Sequence, residues 1–145
     1  MTKYWGDDRV AVDNADMKIL LVDGFPTMRR VVKTLMRQNG YSRFIEVEDG
    51  QAACEVLRAS HDIGLIISSG SMPRMSGVEF LKVVRADPLL KHLPFLLVAA
   101  EAEKELVAEA VEAGVSGYVV KPFTGQALGA KIARIFASCG PKKAV

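Results

Sequence analysis

The sequence predicts an α/β fold: a doubly wound parallel sheet of five strands, covered by helices on both faces. Short apolar runs alternate five times with segments whose apolar residues recur at helical spacing. Short loops rich in turn residues join them, and the chain has no internal repeat. Its 145 residues, half of them hydrophobic, are enough for one domain with a substantial core.

Each strand is predicted from a short apolar run that ends at polar or turn residues. In order, these runs are residues 17–22, 44–47, 63–67, 95–100 and 118–120. The first ends at Asp23-Gly24, the fourth follows Pro94, and the last leads into Lys121. Nearly continuous apolar runs are typical of strands buried on both faces, which favours a parallel sheet.

Each helix is predicted from apolar residues three or four positions apart. The stripes are Met28 to Met36, Ala53 to Leu57, Val78 to Val84, Leu106 to Val111 and Leu128 to Phe136. Gly40 and Gly114 follow the first and fourth stripes, where a helix stop is expected.

Bulk properties indicate a cytoplasmic domain without a membrane or nucleic-acid partner. The longest strongly apolar stretch, LPFLLVAA, is far below bilayer length, and the start of the chain lacks the apolar region of a secretory signal. A net charge of +2 does not indicate nucleic-acid binding, and the one basic cluster, on the first helix, is interpreted as a solvated face. We divide the chain into an N-terminal extension (1–16), one domain (17–138) and a C-terminal tail (139–145).

Ligands of doubly wound sheets bind beyond the carboxyl ends of the strands. The residues to consider therefore follow each predicted strand: Asp23-Gly24, Glu48-Asp49, Ser68 to Ser71, Ala99 to Glu101 and Lys121-Pro122.

Four segments, spread over residues 17–138, carry a family resemblance. They are VDGFPTMRRVV (22–32), MPRMSGVEFL (72–81), AAEAEKE (99–105) and AGVSGYVVKPFTG (113–125). In this order they resemble the receiver domain of bacterial response regulators, and within that family the single-domain, CheY-like chemotaxis regulators. The resemblance implies a flavodoxin-like strand order, 2-1-3-4-5, and a role in two-component or phosphorelay signal transduction.

The resemblance also implies a phosphorylation site. In the family, two acidic residues after the first strand and an aspartate ending the third hold Mg²⁺, and that aspartate accepts a phosphoryl group from a histidine kinase. A Ser or Thr after the fourth strand and a Lys after the fifth bind the phosphoryl oxygens. This sequence keeps Asp23 and Lys121, but the other three positions are Gly24, Ser69 and Ala99.

Charge balance predicts that the Mg²⁺ site is lost. Three carboxylates near one lysine repel by about 1 to 4 kcal/mol per pair at ~4 Å, and this repulsion recruits the dication. Here Asp23 and Lys121 nearly cancel, so we expect an internal ion pair and no cofactor, with weak metal binding at Asp23 as the alternative. Ser69, without a base and a metal, is not expected to accept a phosphoryl group. The sequence therefore predicts a pseudo-receiver rather than an enzyme.

Output is expected through the domain's own surface. The resemblance implies the face formed by the fourth helix, the fifth strand and the fifth helix, with Glu103, Lys104, Val107 and Tyr118. Candidate partners are a histidine kinase or a motility component. Two interpretations of Ala99 stay open: it only fills the core, or its small side chain lets Tyr118 turn inward without phosphorylation.

Two alternatives stay open. The first is a working regulator phosphorylated at an unconventional residue, Asp49 or Asp23. The second is a sensor in which Ser68 to Ser71 and Lys121 hold a small anion, although the chain has neither of the glycine-rich loops that a dinucleotide or a triphosphate requires.

Overall fold

The structure, a computed structural model, describes residues 16–144 and the side chains of residues 16–138. Five strands alternate with five helices. The strands are β1 (Lys18–Val22), β2 (Arg43–Val47), β3 (Ile63–Ser69), β4 (Phe95–Ala99) and β5 (Gly117–Val120). The helices are α1 (Pro26–Gln38), α2 (Gly50–Ala59), α3 (Gly77–Ala86), α4 (Lys104–Glu112) and α5 (Gly125–Ala144).

All strand pairings are parallel, in the order β2-β1-β3-β4-β5. The predicted fold class and strand order are therefore confirmed. Residues 1–15 of the predicted extension and Val145 lie outside the described residues, and α5 continues through 139–144, where we predicted a tail. No helix in the described part of the chain is long and apolar enough to cross a membrane.

The sheet divides the core into two halves because successive residues of a strand point to opposite faces. In β1, Ile19 and Leu21 pack with the buried side chains of α1 and α5. Leu20 and Val22 point the other way and pack with those of α2, α3 and α4. Burial on both faces explains why β1 reads as a continuous apolar run.

Two helices end as predicted. Gly40 and Gly114 have φ of +96° and +95°, a left-handed conformation that glycine adopts without steric penalty. At the other end of the sheet, the β1–α1 and β4–α4 connections are short. They hold the candidate site residues close to the strands.

Strand β3 is two residues longer than predicted and includes Ser68 and Ser69. Both serines are buried and pair with neighbouring strands. Their hydroxyls donate to nearby carbonyl oxygens, Ser68 to Ser69 at 2.9 Å and Ser69 to Ser71 at 3.2 Å. Internal hydrogen bonds satisfy these polar groups, so the strand does not end where the apolar run does.

Candidate functional site

The predicted site residues lie along the carboxyl edge of the sheet. The register aligns the strand ends: Val22 with Ser68, Ser69 with Val98, and Ala99 with Val120. Asp23 directly follows β1, and Lys121 directly follows β5. The structure therefore places Asp23, Ser69, Ala99 and Lys121 on one edge, with Gly24 in the β1–α1 loop.

Asp23 is only 6% exposed. Its Oδ1 accepts a hydrogen bond from the Phe25 N–H at 2.9 Å. Burial raises the pKa of Asp23 above its ordinary value, and the Phe25 N–H and the charges of Lys121 and Arg29 oppose this effect. The site's remaining carboxylate is therefore disfavoured in its charged form.

The prediction of a direct ion pair between Asp23 and Lys121 is wrong. Within the described residues, no salt bridge of 4.0 Å or less joins them, and no hydrogen bond or ion pair engages the Lys121 ammonium. Strands β3 and β4 separate β1 from β5, a distance of about 14 Å at the usual spacing of parallel strands. Lys121 therefore acts on Asp23 only through space.

Arg29 contacts the backbone of Asp23 and a glutamate of β2. Its Nη1 donates to the backbone oxygen of Asp23 at 2.6 Å, and its Nε donates to Glu46 Oε1 at 3.0 Å. Lys33 also contacts Glu46, at 2.6 Å. The face of α1 that we interpreted as solvated is thus partly tied to β2 and to the site.

A small cavity lies between Asp23 and Ser69. Its volume is about 10 Å³, and Arg29 and apolar side chains of β1, α1, β3 and β4 complete its wall. Such a volume holds about one water molecule. Among the described residues, no three His, Cys, Asp or Glu side chains are grouped so as to hold a metal ion.

Asp49 is engaged on both carboxylate oxygens and has no exposed surface. Oδ1 caps α2 by accepting from the Ala52 N–H at 2.9 Å, and Oδ2 accepts from Arg74 Nε at 2.9 Å. The Ala52 hydrogen bond, followed by that of Arg74, holds the pKa of Asp49 below its ordinary value. Arg74 lies in the β3–α3 loop, where its φ is +66°. Its ion pair with Asp49 therefore joins that loop to the start of α2.

Glu103 lies at the start of α4 and contacts two loops. Its Oε1 accepts from the Ala100 N–H at 2.7 Å, and its Oε2 accepts from the Ser71 hydroxyl. We predicted Glu103 on the output surface, but its carboxylate points to the carboxyl edge of the sheet instead.

Comparison with known proteins agrees with this geometry. The family model described as "Response regulator receiver domain" matches residues 19–133. The chain belongs to the response regulator receiver family. It is similar to chemotaxis protein CheY-3 of Vibrio cholerae, with 47% identity over 126 residues, 87% of this chain and 96% of the relative. It is also similar to chemotaxis protein CheY of Pseudomonas aeruginosa, with 49% identity over 120 residues, 83% of this chain and 96% of the relative.

Among solved structures, the fold is similar to that of chemotaxis response regulator CheY4 of Vibrio cholerae. The TM-score is 0.73 at 31% identity, covering 83% of this chain and 98% of that one. The chain is therefore a CheY-like receiver domain of two-component signalling.

Tyr118 of this receiver points outward. It is 36% exposed, and the Lys131 ammonium lies 5.3 Å from the centre of its ring. The predicted inward rotation is wrong in this structure. Ala99 is a fully buried member of the core cluster against which Leu106 and Val107 of α4 pack.

The remaining residues predicted on the output face are divided between surface and core. Lys104 is exposed, whereas Val107 is half-buried against the core. Val120 of β5 and Val111 of α4 are 38% and 57% exposed and add apolar surface that we did not predict.

Three contacts of the receiver's site were missed at the sequence level. One of them had a readable signal: Glu103 follows Ala100 by three positions, the spacing at which a glutamate accepts from a backbone N–H near a helix start. The contacts of Arg29 with Asp23 and of Arg74 with Asp49 had none, because spacing within a helix or loop does not name a partner from another segment.

Proposed function

We propose that this receiver is a pseudo-receiver, which transmits signals by binding proteins and does not accept a phosphoryl group. The observation that carries the proposal is the state of Ser69 at the acceptor position. Ser69 is 7% exposed, and its hydroxyl donates to the Ser71 carbonyl oxygen. A neutral, nearly buried hydroxyl stands where a phosphorylated receiver needs a carboxylate.

Ser69 also lacks the support that a serine nucleophile requires. Activation needs a base that takes the hydroxyl proton. The Ser69 proton is directed to a backbone carbonyl, and the Oδ1 of Asp23 is engaged by the Phe25 N–H. No hydrogen bond joins Ser69 to a base within the described residues.

Mg²⁺ does not fit the donor atoms of the site. The ion requires near-octahedral oxygen ligands and keeps several waters. Asp23 is the one carboxylate left of the family's three, and Arg29 already donates to its backbone oxygen. We therefore propose that the domain functions without a metal cofactor.

The unconventional acceptors are also disfavoured. Asp49 has no exposed surface and is engaged on both oxygens, and Asp23 is 6% exposed. A carboxylate can attack a phosphodonor only along an open path to one of its oxygens. Asp49 offers no such path, and burial disfavours the charged form of Asp23 that would have to attack.

We propose the surface of α4, β5 and α5 as the binding face for a protein partner in the cytoplasm. Tyr118 and Val120 lie on the same side of β5, since they are two residues apart, and both are exposed. Exposed aromatic and apolar side chains of this kind are typical of protein interfaces. The similar proteins are chemotaxis proteins, so a histidine kinase or a motility component is the partner class to test.

The experiment is intact-mass spectrometry after incubation with acetyl phosphate and Mg²⁺. We expect no mass change for the native sequence. The positive control restores the family's residues with Gly24→Asp, Ser69→Asp and Ala99→Thr and is expected to gain one phosphoryl group. The first substitution has room, because a Cβ at residue 24 would lie 3.4 Å from its nearest neighbour, Pro73 Cδ. Gain of a phosphoryl group by the native protein would refute the proposal.

A further inference from the structure

The carboxylate of Glu103 binds donors from two different loops. The Ala100 N–H, just after β4, donates to Oε1 at 2.7 Å. The Ser71 hydroxyl, just after β3, donates to Oε2. Hydrogen bonds to an ionised acceptor are about twice as strong as neutral ones. One side chain thus joins the β3–α3 and β4–α4 connections.

Packing supports the same contact. Gly70 is buried, and a Cβ built on it would lie 2.6 Å from Leu106 Cδ2 and 3.5 Å from Glu103 Oε1. The first turn of α4 therefore lies directly on the β3–α3 loop. The absence of a side chain at Gly70 makes room for Leu106 and leaves Glu103 within reach of Ser71.

The local charge also suits an anion. Lys121 directly follows the neighbouring strand β5, and its backbone N–H donates to the Ala99 oxygen at 2.9 Å. In the described part of the chain, no hydrogen bond or ion pair engages its ammonium. The Ala100 N–H and the Ser71 hydroxyl form a donor set that an oxyanion would bind, and Lys121 adds a positive charge to the same edge of the sheet.

We propose that Glu103 is an internal ligand of this donor set, which closes it to external oxyanions and holds α4 against the β3–α3 loop. The inference rests on the proposed function, because a covalent phosphoryl group would compete for the same donors. It accounts for the small-anion alternative: the donors of an anion site are present, but a carboxylate of the same chain already binds them.

The test is a titration with inorganic phosphate at constant ionic strength, followed by the amide NMR shifts of Ala100 and Ser71. We expect Glu103→Ala to bind phosphate at least about tenfold more tightly than the native protein, because a charged hydrogen-bond acceptor no longer competes for the same donors. Glu105→Ala is the matched control, since Glu105 is an exposed glutamate of the same helical turn. It should respond as the native protein does.

Two further variants make the result decisive. Ser71→Ala added to Glu103→Ala removes one donor and should lower the gained affinity. Glu103→Gln keeps the side-chain size, removes the charge, and should show a smaller gain; it replaces Glu103→Ala if that variant does not fold. Equal phosphate affinity in the native protein and in the Glu103 variants would overturn the inference. That result would leave the mass experiment unaffected, and phosphorylation of the native protein would refute the proposed function whatever the titration shows.

Discussion

At the scale of single residues, the two buried carboxylates of the site edge differ in what surrounds them. Asp23 receives one backbone hydrogen bond, and burial dominates, so its pKa is raised. Asp49 receives a backbone hydrogen bond and a guanidinium, and its pKa is lowered. Ionisation of Asp23 therefore lowers the stability of the fold, whereas ionisation of Asp49 raises it.

Asp23→Asn should raise the free energy of unfolding at pH 7.5. A folded-state pKa above the unfolded value of ~3.9 means that the Asp23 contribution to stability is fully present below that value and is lost as pH rises through the folded pKa. Asparagine keeps an oxygen for the Phe25 N–H and has no charge to bury. Urea denaturation at pH 7.5 and below pH ~4 measures the gain, which should vanish at the lower pH.

Asp49→Asn is the control of opposite sign for this prediction. Its lowered pKa means that its contribution is present above the unfolded pKa and is lost as pH falls through the folded pKa. We expect Asp49→Asn to lower the free energy of unfolding by about 1 to 2 kcal/mol at pH 7.5 and by less in acid. The value is kept low because Arg74 is largely exposed, so water screens its charge. Destabilisation by Asp23→Asn at pH 7.5 would contradict the first prediction.

At the scale of elements, the joint between β3 and α3 depends on backbone proximity. The Gly77 N–H donates to the Gly70 oxygen at 2.9 Å, and a Cβ on Gly77 would lie 2.1 Å from the Ser69 carbonyl oxygen. The neighbour is backbone at the end of a buried strand and cannot move aside easily. Gly77 therefore sets how closely α3 approaches the acceptor position.

Gly77→Ala should lower the free energy of unfolding by about 2 to 3 kcal/mol, because α3 must shift away from Ser69. Gly24→Ala is the matched control: its nearest neighbour would be 3.4 Å away, and we expect a change within about 0.5 kcal/mol. Denaturant unfolding of both variants is the measurement. Equal effects would show that the approach of α3 to β3 is not the constraint.

At the scale of the whole molecule, stability should not depend on Mg²⁺. A ligand that binds only the folded state stabilises it by RT ln(1 + [L]/Kd), so a functional site would raise the Tm at about 10 mM MgCl₂. The native protein should unfold at the same temperature in MgCl₂ and in NaCl of equal ionic strength. The Tm of the restored variant should rise in MgCl₂ but not in NaCl of equal ionic strength. This variant carries Gly24→Asp, Ser69→Asp and Ala99→Thr. A Mg²⁺-specific rise in the native Tm would contradict the proposal of a metal-free domain.

The sequence by itself determined the fold and the positions of the candidate site. The apolar runs of β1, β3 and β4 are long enough to be read directly, and Gly40 and Gly114 mark helix ends by a backbone conformation that favours one residue type. A parallel sheet brings its strand ends to one edge whatever the side chains are. The sequence alone therefore placed four site residues at one edge of the sheet: Asp23, Ser69, Ala99 and Lys121.

Only the tertiary structure decided which side chains meet there. Lys121 makes no direct contact with Asp23, because two strands lie between β1 and β5, whereas Arg29 donates to the Asp23 backbone oxygen from the next helix. Glu103 turns to Ser71 rather than to the output face, and Tyr118 stays outside. These outcomes depend on distances between segments remote in sequence, and periodicity within one segment carries no information about such distances.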